Sequence, residues 1–273
     1  SLHDALPILG DGELESNGFK LIGAHTDSPS FRIKPFPEMT SENTYVRLNT
    51  EVYGGPILNT WLDRPLSIAG RVTLRGNNPL SPETRLLNIN KPILIIPNIA
   101  IHMNREVNQG VELNKQKDTL PLLSLVNESL EKDKYLINTI AAELSVNVSD
   151  ILDFDLFLYE YEKGSVIGLN EEFISSPRLD DLAMVHAGIK ALINTKVNMA
   201  TNVMVCFDNE EVGSSTKQGA DSNLLSNILE RIALSFNKGR EDFFRALSKS
   251  FMISADLAHA VHPNAGEKHD PVN

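Results

Sequence analysis

The sequence predicts an α/β protein, a sheet covered on both faces by helices with a β-rich region inserted into it. Three observations support this. Residues 203–207 form a short apolar, β-branched run of the kind found in a fully buried strand. Stretches 182–193, 223–234 and 241–247 carry amphipathic helical periodicity and alternate with strand-like runs. Between about 31 and 162 the texture changes to short strands separated by turn signals such as Gly54-Gly55, Gly76-Asn77-Asn78-Pro79 and Asn90-Lys91-Pro92.

The buried run 203–207 ends abruptly in Asp208-Asn209-Glu210-Glu211. Carboxylates at the C-terminal end of a strand sit where open α/β sheets place ligands, and Gly213-Ser214 permits a tight turn. Acids in a solvated first helical turn also fit this pattern. What favours chemistry is the company: the runs 21–27, 173–180 and 251–256 carry His25, Asp180 and Asp256 at their ends. Four strand ends are therefore expected to converge on His, Asp, Glu and Asp. On an extended strand neighbouring residues face opposite ways, which gives Glu210 and Glu211 different tasks.

With 273 residues, 41% hydrophobic and 22% charged, the chain is long enough for two domains of ordinary globular composition. A formal net charge of -11 with scattered Lys and Arg argues against nucleic acid as a partner and disfavours an anionic membrane. No apolar run reaches the length of a membrane span. The one cysteine, Cys206, lies within the buried strand, so no intrachain disulfide forms and a reducing, cytoplasmic setting is expected.

In chain order, residues 1–8 join poorly to the polar run 10–20 and resemble a translated adapter, so they are left out of the fold. Residues 20–24 are a strand presenting His25, with Asp27 placed to take the hydrogen of its second ring nitrogen. In the β-rich region, 45–52, 66–74, 84–89 and 93–96 read as strands, 133–144 as a helix and 153–161 as a returning strand. His102 is the only histidine of that region. Before the helix at 182–193, Pro177 and the Asp180-Asp181 pair make a loop holding carboxylates at a helix N-terminus, where capping and metal ligation both fit. His259, His262 and His269 match no closed zinc spacing and read as structural or supporting residues.

These residues fall into motifs. Ala24-His25-Thr26-Asp27-Ser28-Pro29, Arg178-Leu179-Asp180, Phe207-Asp208-Asn209-Glu210-Glu211-Val212-Gly213-Ser214 and Ser254 to Asn264 resemble the aspartyl aminopeptidases, grouped with vacuolar aminopeptidase I among the dinuclear zinc exopeptidases. Tyr53-Gly54-Gly55, Trp61 to Arg64, Ala69 to Val72 and Ala100-Ile101-His102 match that family too. The resemblance runs from about Lys20 to the end. It implies a mixed zinc-exopeptidase sheet in a discontinuous catalytic domain (9–30 and 163–273), with an inserted β-rich dimerisation domain at 31–162. It also implies two Zn2+ ions, with Co2+ or Mn2+ as alternatives the ligand set accepts. His25 and Asp256 would hold one metal, Asp180 would bridge, Glu211 would hold the other, and Glu210 would be the general base. His102 would reach a neighbouring protomer's site to stabilise an oxyanion. The resemblance further implies self-association as a dimer and, in the family, as a hollow dodecamer.

The implied activity is removal of the N-terminal residue of peptides, with Asp and Glu as candidate residues. A different dinuclear amidohydrolase or deacylase, and a non-catalytic assembly subunit that keeps the fold, are the alternatives. Asp181 stands where the family usually has Asn, adding negative charge near the metals. The family's second zinc has a further His ligand downstream of Asn273, so the chain is expected to be C-terminally cut and inactive by itself.

Overall fold

The computed structural model describes residues 5–8, 10–126 and 134–270. The chain divides into two compact units, Ser1–Ser28 with Arg178–Asn273, and Pro29–Pro177. The hairpin segment 163–177, which the sequence assigns to the catalytic part, is thus grouped with the β-rich unit.

The first unit opens with β1 (Ala5–Ile8), a short helix α1 (Leu14–Asn17) and β2 (Phe19–His25). The residues set aside as foreign thus supply a strand. An exposed sheet edge recruits any extended backbone that offers its N–H and C=O groups.

The second unit contains β3 (Ser30–Ser41), β4 (Tyr45–Tyr53), β5 (Leu66–Asn78), β6 (Ser81–Asn88) and β7 (Leu122–Leu125). After the helix α2 (Tyr135–Leu144) come β8 (Ile151–Glu160), β9 (Ser165–Ile167) and β10 (Phe173–Ser175). Among the described residues the main sheet has the order β6-β5-β8-β3-β4-β7, and β9 pairs with β10 separately. Phe31, Leu48, Trp61, Ile68, Leu156 and Leu158 fill its core beside Leu136 and Ile140 of α2. The Phe31 and Trp61 rings meet edge-on, with centroids 5.1 Å apart. β3 is not legible in the sequence, because Pro35 and Pro37 interrupt its pattern. The strand absorbs them at a register shift between Ile33 and Glu38. Conversely, 93–96 makes only isolated bridges. Residue 133 of the predicted helix lies outside the described residues.

The chain then returns to the first unit through α3 (Leu179–Asn194), β11 (Thr201–Phe207), α4 (Leu224–Ser235), α5 (Arg240–Ser248) and β12 (Phe251–Ser254). The sheet order is β1-β11-β2-β12; β2 runs parallel to β11 and to β12, and β1 is antiparallel, so the sheet is mixed. Alternation along β11 decides both faces. Val203, Val205 and Phe207 pack with Leu229 and Ala233 of α4 and Phe243 and Ala246 of α5, while Met204 and Cys206 pack with Val185 of α3.

One expectation is corrected here. The run 173–180 is no strand end: β10 stops at Ser175, and Arg178 takes a left-handed conformation with φ 61°. Asp180 therefore enters from the start of α3, because Pro177 cannot continue a ladder.

Gly188 lets α3 lie close on the sheet, since a Cβ there would run into the sulfur of buried Met204. Met204 has a flexible end, and Ala gains about 1 kcal/mol of helix propensity over Gly, so Gly188→Ala is expected to stay within about 1 kcal/mol of wild type. Gly188→Val, which overpacks the contact, should lose about 1–3 kcal/mol in urea denaturation.

Candidate active site

The parallel strands deliver their C-terminal ends to one edge of the sheet. Beyond β2, Thr26 N–H donates to the carbonyl of Phe207 at 2.9 Å, and Ala255 N–H donates to that of Gly23 at 2.8 Å. These bonds extend the ladder past the strands and set His25, residues 208–211 and Asp256 side by side.

His25 is the centre. It is 5% exposed, and its Nδ1 lies 3.1 Å from the backbone oxygen of Asp27 and 3.4 Å from the Asp27 carboxylate. Both neighbours only accept hydrogen bonds, so Nδ1 carries the hydrogen in the neutral tautomer and the Nε2 lone pair is free to bind a cation. Nε2 lies 3.3 Å from Asp180 Oδ1, 3.8 Å from Asp256 Oδ1 and 3.9 Å from Glu210 Oε2. Below, the backbone N–H of His25 donates to Asp181 Oδ2 at 3.1 Å.

The side chains of Asp180, Glu210 and Asp256 are 56%, 47% and 62% exposed, so the acids open to solvent above a buried imidazole. Among the described residues, two groups have potential ligand atoms all within 4.8 Å of one another: His25, Asp180 and Asp256, and His25, Glu210 and Glu211. Ligand atoms on tetrahedral zinc stand roughly 3.3–3.4 Å apart, given bond lengths of about 2.0–2.1 Å. The first group comes close to that spacing, and imidazole with carboxylates is a donor set zinc accepts.

Electrostatics agree with a cation site. Burial pushes the Glu211 carboxyl up to about 7, with Asp27, Glu210 and Asp180 adding to the rise and His25 opposing it. Asp181 is also raised, by burial first and then by Asp256 and Asp180. Burial works against protonation of His25, but Asp27, Asp181 and Glu210 outweigh it and the imidazole is raised. Six acids around one imidazole repel one another unless protons or cations intervene.

Several details lay beyond the sequence reading. Glu210–Val212 is a 3-10 turn, entered through Asn209 at φ 63° and left through Gly213 at φ 95°. The two glutamates are thus splayed around a tight turn rather than alternating on a strand, because β11 ends at Phe207. Asp181 makes no side-chain cap on α3. It is fully buried, accepts from His25, and its Oδ1 has no hydrogen-bond partner. The Asp27 carboxylate accepts from the backbone N–H groups of Glu210 and Glu211, both at 3.1 Å. The one legible signal for this was the His-x-Asp spacing, which carries an acid just past the strand end.

His102 belongs to the other unit, in an exposed turn. In the loop after β12, His262 N–H donates to His269 Nε2 at 3.0 Å, and the His259 and His269 rings lie 6.0 Å apart.

Residues 8–273 match the family model described as the aminopeptidase I zinc metalloprotease (M18) family. A probable M18 family aminopeptidase 2 of Clostridium novyi is 70% identical over 266 residues, covering 97% of this chain and 61% of that protein. This chain thus spans about three-fifths of that relative's length. Among solved structures, the one titled as the Ape4 and Nbr1 complex superposes with a TM-score of 0.91 at 36% identity, covering 98% of this chain and 55% of that one. The S. cerevisiae mApe1 dodecamer superposes with a TM-score of 0.80 at 27% identity, covering 98% and 61%. Together with the mixed sheet and the carboxylate-ringed histidine, these matches bear out the resemblance carried by the motifs: the chain belongs to the aminopeptidase I zinc metalloprotease (M18) family.

Proposed function

We propose that the protein is a zinc aminopeptidase that removes the N-terminal residue of peptides, with Asp and Glu the first residues to assay. The observation that carries this reading is the His25 imidazole, whose Nε2 faces Asp180, Asp256 and Glu210 within 3.9 Å. His25 and Asp256 would hold one zinc, Asp180 would bridge, and Glu211 would hold the second. Zinc bound there supplies Lewis acidity for the scissile carbonyl and a water of lowered pKa.

The chain's own residues do the rest. Glu210, with Oε2 3.9 Å from His25 Nε2, would accept a water's proton and pass it to the leaving amine. The surrounding acids make a negatively charged cluster that attracts a free α-ammonium, which favours an aminopeptidase over a deacylase of N-acylated substrates. His102, on its exposed turn, would reach a neighbouring protomer and donate to the developing oxyanion. That role needs self-association, for which the dodecameric mApe1 relative is the support. The single cysteine of the sequence, buried in β11, fits a reducing, cytoplasmic setting. Among the described residues, no helix is long and apolar enough to cross a membrane.

In the intact protein, Glu210→Gln should keep its zinc content while turnover falls about 10²–10⁴-fold. Retained turnover would remove Glu210 as the base. His102→Ala should lower kcat about 10²-fold or more, with the oligomer intact by light scattering. A panel of free and N-acylated peptides separates the two hydrolase readings, because an aminopeptidase needs the free amine.

Zinc uptake should also depend on pH. The Glu211 carboxyl, raised to about 7, holds a proton over part of the neutral range in the metal-free protein, and zinc must displace it; the upward shift of His25 works in the same direction. Affinity is therefore expected to rise from about pH 6 to about pH 8. Calorimetry in buffers of different ionisation enthalpy should detect proton release at about pH 6.5.

A further inference from the structure

We propose that Asp27 is a positioning residue that fixes Glu210 and Glu211 through their backbone N–H groups, so that their geometry is set before any metal arrives. This inference rests on the roles proposed for the two glutamates.

The 3-10 turn at Glu210–Val212 opens with N–H groups that have no acceptor within the turn, and its first flanking residue, Asn209, makes no side-chain cap. The Asn209 amide is engaged elsewhere: its oxygen accepts from Thr216 Oγ1 at 2.7 Å. The cap comes instead from Asp27, 183 residues upstream of Glu210. Its Oδ1 takes the N–H of Glu210 and its Oδ2 that of Glu211, each at 3.1 Å. The Asp27 side chain is 7% exposed, so water competes little for these charge-assisted bonds.

Asp27 is well placed to couple the two parts of the site. Its backbone oxygen and Oδ1 both face Nδ1 of His25, and Thr26 between them donates from N–H and from Oγ1 to the Phe207 carbonyl. Residues 25–27 are thereby sewn to residues 207–211 at both ends. Any displacement of the turn that carries Glu210 and Glu211 must break a bond to a buried carboxylate. Side-chain direction on a tight turn depends on backbone φ and ψ, and catalytic groups displaced by about 1 Å lose about 10²-fold in rate. A metal that draws in ligand side chains acts on their carboxylates. Asp27 acts on the peptide groups, so its hold persists without the metal.

The chemistry predicts a difference between two substitutions. Asp27→Ala removes both acceptors. Asp27→Asn keeps one oxygen but turns an NH₂ donor toward the second N–H, so one bond survives and the other is replaced by a donor-donor contact.

Hydrogen exchange on this chain with metal chelated reads the effect directly. The Glu210 and Glu211 amides should exchange slowly in wild type and about tenfold to a hundredfold faster in Asp27→Ala. In Asp27→Asn only one of the two should accelerate, with Val203–Val205 unchanged in both variants. Asn is close to isosteric, so it keeps the test usable if the alanine variant fails to fold. The Co2+ visible spectrum of Asp27→Asn should shift relative to wild type. In the intact protein kcat should fall about 10²-fold with KM within about threefold.

Equal exchange at 210 and 211 in wild type and Asp27→Asn overturns the inference. So does uniform loss of protection along the whole of β11, which would mark Asp27 as general scaffold. The exchange experiment requires no turnover, so it fails or succeeds separately from the assignment of Glu210 as the base.

Discussion

The constraint on which the catalytic unit depends is the parallel pairing of β2 with both β11 and β12. Because all three run in the same direction, their C-terminal ends meet at one edge. Residues as far apart in sequence as Asp27 and Glu210 thus become neighbours, and the polar groups around His25 gather at that edge. An antiparallel β2 would have carried His25 to the opposite end. Among the described residues of this sheet, the one antiparallel strand, β1, lies at the outer edge beside β11, where it extends the ladder away from the site.

Charge crowding is the second constraint. A buried imidazole with Asp27 and Asp181 beneath it and Asp180, Asp256 and Glu210 above it is costly in a protein without a counter-charge. Ordinary cores avoid such clusters. The upward shift of Glu211 to about 7 comes first from burial, and the neighbouring Asp27, Glu210 and Asp180 add to it. The lower layer relieves its own part through the backbone: Asp181 takes the His25 N–H, and Asp27 takes those of Glu210 and Glu211. Two acids therefore hold the frame on which four others stand.

The β-rich unit obeys different rules. Its antiparallel sheet closes on one core around Phe31, Trp61, Ile68 and Leu156, with α2 across it. Arg32 and Arg71 share the Asp155 carboxylate on the surface of this sheet. The loop bearing His102 is long and mostly irregular, and Ile99, Ile101 and Met103 beside that histidine are exposed. Long irregular loops in compact units tend to carry function.

Patterns of period two and 3.6 are local, and so the sequence alone located the buried strand at 203–207, the strand before His25, the helix after Asp180 and the β-rich texture of the middle region. Motif order likewise picked out His25, Asp180, Glu210, Glu211 and Asp256, which the fold places around one imidazole. It could not show that β3 tolerates two prolines, because the register shift that accommodates them exists only against β4. Nor could it show that the glutamates sit on a 3-10 turn. The pairings of Asp181 with His25 and of Asp27 with Glu210 and Glu211 were equally illegible. They are hydrogen bonds between a side chain and a distant backbone, which leave almost no mark on residue type. Sequence determined which groups are available; only the parallel register of three strands decided which of them meet, because that register alone converts separation along the chain into distance in space.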